Sequence, residues 1–404
     1  MPGEAGQARA HSAGRALTGF GTEHKIAAMD ANAGPLPTFP VGAYTDPAHF
    51  EAEMRAIFAR SWVLAGFSHD LAEAGDARPV TVAGAPVLLV RSEAGELRAF
   101  HNLCRHRAAR LVAEPCAKAR AFACPYHGWT YGLDGALRAA PHWRAEDGTA
   151  PAGFDAADHG LIPAAAAEWA GMVFVRLAED GPDFATHIRP LAERWAPYRL
   201  DLLRAGDEMT FEAPANWKLA IENFIDTYHL PFIHRQLGTM RQAMRVEDVD
   251  LGDGPAEGRV YGYRYPRGAA EKPKSGQPFA TFPDLPESLM PVQDILSLFP
   301  NVLFELMPDH LLVFHLEPLA SDRTRERFVF FYLGEAATDR ALAERRAEAT
   351  EAWRIINEQD MAILAELQAG IASPAAARPQ PDSPFFDRPL SAFRRTVAQA
   401  LAER

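Results

Sequence analysis

The chain of 404 residues is poor in cysteine: it has three, Cys104, Cys116 and Cys124. So few exclude a disulfide framework and leave metal or redox chemistry as the use for any cysteine that matters. Long apolar runs are also missing. No stretch approaches the ~20 residues needed to span a bilayer, and residues 1–25 lack the apolar centre of a secretory signal, so no membrane contact and a cytoplasmic location are expected. Positive charge is short too, with 41 basic against 53 acidic residues and a net charge of −12, which argues against nucleic acid as a partner. The glycines are scattered and form no strand–GxGxxG–helix unit, so no flavin or nicotinamide site is expected in this chain.

What remains is an ordinary globular composition, 48% hydrophobic and 23% charged, long enough for two or three domains. No internal repeat is evident. Residues 1–38, rich in Gly, Ala and Pro without periodicity, read as a poorly ordered tail. In residues 39–61 the stretch Asp46 to Trp62 opens with Asp-Pro and sets Phe50, Met54, Ile57 and Phe58 at helical spacing, which predicts an amphipathic helix packing on the second half of the chain. Residues 62–165 carry short β segments, "PVTVA", "PVLLVR", "LRAFHN" and a hairpin turning at Leu133-Asp134-Gly135, and read as a small, mostly β unit.

Residues 166–404 mix the two kinds of element. Helix is expected from Ile188 to Arg204, from Thr338 to Ala369 and from Leu390 to Arg404. The segment "EMTFEAPANWKLAIENFIDTYHLPFIHR" runs from a strand into a helix that Pro231 must end or distort. The runs "ILSLFP", "VLFELM", "HLLVFHLEPL" and "RERFVFFYLG" read as consecutive antiparallel strands, and strands in succession flanked by long helices indicate an α+β domain.

All three cysteines fall within the 24 residues from Cys104 to His127. By spacing this stretch is Cys-x-His, seventeen residues, then Cys-x-x-His: Cys104, His106, Cys124 and His127. A structural zinc site usually pairs like with like in each clip, whereas here each clip holds one cysteine and one histidine. That distribution suits a two-iron cluster with two cysteines on one iron and two histidines on the other, because each clip then crosses both metals. Zinc is the rival reading. Cys116 belongs to neither clip and reads as a small loop or core residue.

A second group lies in "ENFIDTYHLPFIH", residues 222–234, with Asp226, His229 and His234. Five residues turn an α-helix by ~500°, so these two histidines share no face of a regular helix, and an irregular turn at Pro231 is needed to aim both into one site. Two histidines and one carboxylate make the facial triad of non-haem Fe(II), with positions left open for dioxygen and substrate. The third ligand is expected on the helix "EAWRIINEQDMAILAELQAG", where Asp360 falls in the apolar stripe of Trp353, Ile356, Ile363 and Leu367 while Glu358 is rotated ~200° away. A carboxylate on an inward face is costly unless paired or bound to metal.

"CRH" and "CPYHGW" resemble the cluster motif of Rieske proteins, and with the second group the chain from about residue 45 resembles the catalytic (alpha) subunits of Rieske non-haem iron oxygenases. Respiratory Rieske proteins carry a further cysteine in each loop, joined as a disulfide. The matching positions here are Ala109 and Tyr126, which places the chain with the oxygenase type. The resemblance implies a small all-β Rieske [2Fe-2S] domain joined to a helix-grip catalytic domain with an antiparallel sheet and long helices, boundaries as drawn above. It implies a mononuclear Fe(II) held by His229, His234 and Asp360, with Asn223 and Asp226 in the same Asn-x-x-Asp-x-x-His-x4-His segment. Asp226 is expected to bridge electron transfer from His127 of one subunit to His229 of the next in a homotrimer.

The activity implied is hydroxylation of a small organic substrate, on an aromatic ring or leading to N- or O-demethylation. Dioxygen and electrons from a separate reductase or ferredoxin, ultimately NAD(P)H, are consumed. A Rieske electron-transfer protein with an inactive second domain is the alternative. No Gly precedes Asp226, unlike many two-subunit aromatic-ring dioxygenases, and the segment looks more like the choline monooxygenase-like branch. A quaternary ammonium wants an aromatic cage, for which Phe224, Phe232, Phe304 and Phe314 are candidates, with core packing the plainer role. Arg105, Arg107, Arg110, Lys118 and Arg120 give the cluster loops a basic rim suited to an acidic donor, or simply solvated charge.

Overall fold

A computed structural model describes residues 39–402, except 147, 150, 152, 238–239, 253–257, 268–273 and 378–381. The expected tail at 1–38 lies outside the described residues. The described chain opens with a short turn of helix, α1 (Gly42–Thr45), and α2 (Pro47–Glu53), which Asp46 starts by accepting the Ala48 amide at 2.8 Å. The helix expected to reach Trp62 widens after Glu53 into a π-type turn, Met54–Phe58. Then come β1 (Val63–Phe67), β2 (Ala77–Val82), β3 (Ala85–Arg91) and β4 (Leu97–His101), the small strands β5 (Ala121–Ala123), β6 (Thr130–Gly132) and β7 (Leu137–Ala139), and a hairpin of β8 (Pro163–Trp169) and β9 (Met172–Arg176). Six of these form one antiparallel sheet, β1-β9-β8-β4-β3-β2, and β5-β6-β7 form a three-stranded sheet beside it.

The second half starts with α3 (Phe184–Arg194). The helix expected over Ile188 to Arg204 stops there because Pro197 follows, and because the Trp195 indole at its end is drawn to Asp294 at 3.0 Å. Strand β10 (Leu203–Ala213) leads to α4 (Trp217–Ile225), a single-turn α5 (Leu230–Ile233) and α6 (Met240–Ala243). The strands β11 (Glu247–Leu251), β12 (Val260–Pro266), β13 (Val292–Leu298), β14 (Val302–Leu306), β15 (His310–Ala320) and β16 (Arg323–Leu333) follow. With β10 they make a seven-stranded antiparallel sheet, β10-β16-β15-β14-β13-β12-β11, so the four strands expected in succession pair in succession. The long helix α7 (Ala343–Ile371) and α8 (Arg388–Ala402) complete the chain. Both begin or end a few residues from the expected limits.

One face of the large sheet packs on the helices through Leu303, Leu312, Phe314, Leu316, Phe328 and Phe330, in one core with Trp217, Ile221 and Ile225 of α4 and Phe393 of α8. The other face, with Phe304, Val313 and Val329, packs on Trp62, Phe67 and Phe174 of the first sheet and Trp195 after α3. The helix layer is fastened by charge as well as by apolar area. Lys218 Nζ lies 2.6 Å from Glu53 Oε1, both side chains fully buried, and the Trp217 indole donates to the other Glu53 oxygen at 2.8 Å. No described helix is long and apolar enough to cross a membrane. Removing one partner of a buried pair strands the other charge, so Lys218→Met should lower unfolding stability by about 3–5 kcal/mol in urea titration.

Candidate metal centres

Both cysteine loops are built on one backbone pattern. The Cys104 amide donates to Ala109 O at 2.8 Å and the Cys124 amide to Trp129 O at 2.7 Å, five residues on in each case. Ala108 and Gly128, four residues after each cysteine, take positive φ of 56° and 71° and return their amides to the cysteine carbonyls at 2.8 and 3.0 Å. The glycine in "CPYHGW" serves that left-handed position without strain, whereas Ala108 adopts it with a side chain. These turns bury Cys104 and Cys124 and bring the His106 and His127 rings to 4.7 Å between centroids.

The two histidines have unlike surroundings. His106 stacks on buried Trp129 at 5.1 Å and meets the edge of Trp143 at 5.2 Å, while His127 is exposed and packs on Tyr126, itself 59% exposed. His106 Nδ1 is buried with no hydrogen-bond partner. Burial first, then His127 and Arg107, holds this imidazole below its ordinary pKa, which favours the neutral ring that a metal ligand requires. A buried, unpartnered nitrogen beside two buried thiols fits a metal cluster. The Tyr131 hydroxyl accepts the Arg105 amide at 2.9 Å, which leaves its proton for Cys104 Sγ at 3.3 Å. All three cysteines are free of disulfides. Cys116 is half-buried and its backbone pairs with Ala77, the structural place expected for it.

The second group is made by a break between helices. Asn216 caps α4 by accepting the Lys218 amide at 3.0 Å, and α4 ends where Asp226 turns extended. The Asp226 carboxylate then starts the next turn, taking the Tyr228 amide at 2.6 Å and the His229 amide at 3.2 Å. Pro231 therefore does not distort the end of one helix. It sits in the first turn of the next, where a missing amide costs nothing. Flanking that one turn, His229 and His234 bring their rings to 5.2 Å, a separation that a continuous helix denies them.

Asp360 of α7 completes the group. Its Oδ1 lies 2.9 Å from His234 Nε2 and 3.8 Å from His229 Nε2, and ligand atoms of the three side chains fall within 4.8 Å of one another, so they can hold one metal ion. Each imidazole is oriented from behind: Asp226 Oδ2 is 3.0 Å from His229 Nδ1, and Gln359 Oε1 is 2.8 Å from His234 Nδ1. Such partners fix the tautomer that turns Nε2 to the metal. Burial opposes charge on His234, but Asp360 and then Gln359 outweigh it and hold its pKa above the ordinary value. Asn223 lies one turn before Asp226 and meets it through backbone, its carbonyl accepting the Asp226 amide at 3.4 Å.

The stripe used to find Asp360 is rotated in the folded helix. Ile356, Asn357, Leu364 and Gln368 are buried on α7, while Leu367 is 41% exposed. Polar residues take the inner positions because they are bonded there, Asn357 to Glu326 at 3.2 Å and Gln368 to the Asn216 amide at 2.9 Å. Glu358 is exposed and pairs with Arg354, away from the site. Of the four phenylalanines proposed as a cage, Phe224 and Phe314 pack edge-on at 5.0 Å on the helix side of the sheet. Phe304 faces the opposite core and Phe232 is 58% exposed beside Tyr228. Gln359 and the buried acids Glu305 and Glu326 were not anticipated; an acid at an inward position of the apolar run "VLFEL" is the signal for Glu305.

The fold and these two groups define a class: an iron–sulfur β domain coupled to a sheet-and-helix domain with a two-histidine, one-carboxylate site. Residues 61–151 match the model of the Rieske [2Fe-2S] domain, and residues 200–403 that of the ring hydroxylating alpha subunit (catalytic domain). The chain belongs to the ring-hydroxylating alpha-subunit family, with a Rieske [2Fe-2S] cluster and a non-haem iron as its cofactors. It is 36% identical over 230 residues to the glycine betaine monooxygenase oxygenase subunit of Chromohalobacter salexigens, covering 55% of this chain and 50% of that relative. It is 34% identical over 226 residues to the biphenyl 2,3-dioxygenase alpha subunit of Rhodococcus jostii, covering 54% and 48%. The chain spans about half the length of the curated relatives it matches.

In fold it resembles the quaternary ammonium Rieske monooxygenase CntA, with a TM-score of 0.72 at 24% identity over 90% of this chain and 95% of that one. Naphthalene 1,2-dioxygenase from Rhodococcus sp. gives a TM-score of 0.71 at 20% identity, covering 91% and 95%. If the triad holds iron, Asp360→Ala should strip mononuclear iron while leaving the cluster's visible spectrum intact. Gln359→Ala should weaken iron retention about 10- to 100-fold. Iron content after dialysis against a chelator checks both.

Proposed function

We propose that this chain is the terminal oxygenase component of a Rieske system, hydroxylating a small organic substrate in the cytoplasm with dioxygen and electrons from a reductase or ferredoxin that draws on NAD(P)H. The observation that carries this reading is the coexistence in one chain of the two-cysteine, two-histidine loops and the facial triad of His229, His234 and Asp360. Cys104, His106, Cys124 and His127 would hold the cluster, and the triad the Fe(II). When bound, the pair supplies one-electron storage beside a metal with open positions for dioxygen and substrate. The residues around them do the rest. Asp226 and Gln359 orient the two imidazoles, and Phe224, Phe314 and Trp353 wall the helix side of the sheet with apolar surface that excludes water.

The electron path is read from exposure. His127 is exposed, and Asp226 keeps lone pairs beyond those used for His229, so a second copy's His127 can meet Asp226 across a homotrimer interface. Arg105, Arg107, Arg110, Lys118 and Arg120 are all exposed around the cluster loops, which suits an acidic electron donor. Relatives named for glycine betaine, carnitine and choline favour a methylated ammonium as substrate, and hydroxylation of one of its N-methyl groups would lead to demethylation. The rival reading, an electron-transfer protein with an inactive second domain, predicts about two irons per chain, against about three for the oxygenase. Substrate-dependent oxygen consumption with a surrogate reductase decides between them. Asp226→Asn should leave cluster reduction intact and cut turnover about 10- to 100-fold; unchanged turnover would remove Asp226 from the path.

A further inference from the structure

Five acids are buried among the described residues: Glu53, Glu222, Asp294, Glu305 and Glu326. Three of them have a cation in contact. Glu53 meets Lys218 at 2.6 Å, Glu222 meets Arg394 at 2.9 Å, and Asp294 is gripped by Arg194 at 2.9 Å and Arg264 at 2.8 Å. Glu305 and Glu326 make no ion pair with any described residue. Glu305 accepts one bond, from the Trp353 indole at 2.7 Å, and Glu326 one, from the Asn357 amide at 3.2 Å. A carboxylate taken out of water without a cation is costly. Both acids lie under α7, the helix that carries Asp360.

Glu305 has the surroundings of a cation site. Antiparallel register sets Tyr263, Ile295, Glu305, Leu312 and Phe330 side by side across five strands, on the face that packs against the helices. The Trp353 ring that bonds Glu305 also meets Phe314 at 5.0 Å and Phe328 at 6.4 Å. Trp353 precedes Asp360 by seven residues, about two helical turns or ~10 Å. The bond to Trp353 ties Glu305 to the helix that carries Asp360, which puts Glu305 on the metal side of the sheet. His310 and Arg267 act on Glu305 only from beyond contact distance, and His310 is itself bonded to Asp309 at 2.7 Å. They do not neutralise it: burial still pushes its pKa up to about 7. No described residue donates to its second oxygen.

We infer that Glu305 is the counter-ion for a positively charged group of the substrate, a methylated ammonium held between this carboxylate and the rings of Trp353, Tyr263 and Phe314. This rests on the oxygenase reading, because it takes the helix side of the sheet as the substrate's place. It adds that charge, and not shape alone, is selected. An ammonium ion satisfies both the acid and the aromatic faces, which an uncharged substrate leaves unmatched.

Equilibrium binding to the iron-loaded holoenzyme tests this without turnover. Choline and glycine betaine are titrated calorimetrically, each against the tert-butyl isostere in which carbon replaces the ammonium nitrogen. The wild-type protein should bind at least one of the cations about tenfold or more tighter than its isostere. Glu305→Gln should abolish that preference with cluster spectrum, iron content and melting temperature unchanged, and Glu326→Gln should keep it. A wild type that binds neither cation, or binds isostere and cation alike, overturns the inference even if Glu305→Gln does not fold; so does a folded Glu305→Gln that retains the preference. Failure of the oxygenase reading shows differently, as a chain with no mononuclear iron and no oxygen consumption with any compound.

Discussion

The carboxylate of Asp226 does three things at once, and the arrangement of the catalytic half follows from them. Its residue ends α4 by leaving the helical conformation, its carboxylate holds the bend before α5 by taking the Tyr228 and His229 amides, and it fixes the His229 ring through Nδ1. A continuous helix would spread His229 and His234 over different faces. The break turns a spacing useless in a helix into two imidazoles that face one carboxylate from α7. Since holding the bend and orienting His229 use the same side chain, its position is tied to backbone and candidate ligand alike. That makes Asp226 a rigid point of contact for any group arriving from outside.

Rigidity of α4 is supplied from behind. Its residues Lys218 and Glu222 are buried in ion pairs with Glu53 of α2 and Arg394 of α8, and Asn216 at its start is held by Gln368 of α7. Three helices thus grip α4 through polar contacts that are specific in direction, while Trp217, Ile221 and Ile225 provide apolar area. Buried ion pairs add little net stability over apolar contacts of the same shape. Their value here is geometric: a helix held at Lys218 and Glu222 cannot slide, so Asp226 and the turn after it stay in register with Asp360.

Much of the candidate metal chemistry is legible because its residues recur at short, local spacing. Cys104, His106, Cys124 and His127 lie on two loops with the same internal hydrogen bonds, and such loops announce themselves in a few residues. The stripe that picks out Asp360 is rotated in the structure; Asp360 still faces the two histidines because position 360 lies near the border shared by the expected and observed inner faces. The expected helix from Ile188 to Arg204 failed at Pro197, a local signal overridden by apolar periodicity. Strand β8 and the pair β11 and β12 lack a clear apolar alternation, and the sequence does not reveal them, although each pairs with a near neighbour in the chain. Gln359 and Glu305 are of another kind. Each has its role only through a contact across about 50 residues or more, 125 from Gln359 to His234 and 48 from Glu305 to Trp353, and no spacing rule carries that information.

The two histidines of the cysteine loops differ in how far they reach the surface. His106 is walled by Trp129 and Trp143, whereas His127 is open to the surface beside Tyr126. An electron leaves most readily through the ligand that can be brought nearest to its acceptor, and only His127 is unobstructed. Asp226, the counterpart proposed for it, is flanked by the exposed rings of Tyr228 and Phe232, an apolar rim around a carboxylate. A carboxylate in such a setting is desolvated when a second surface closes on it, which strengthens any hydrogen bond it accepts from that surface.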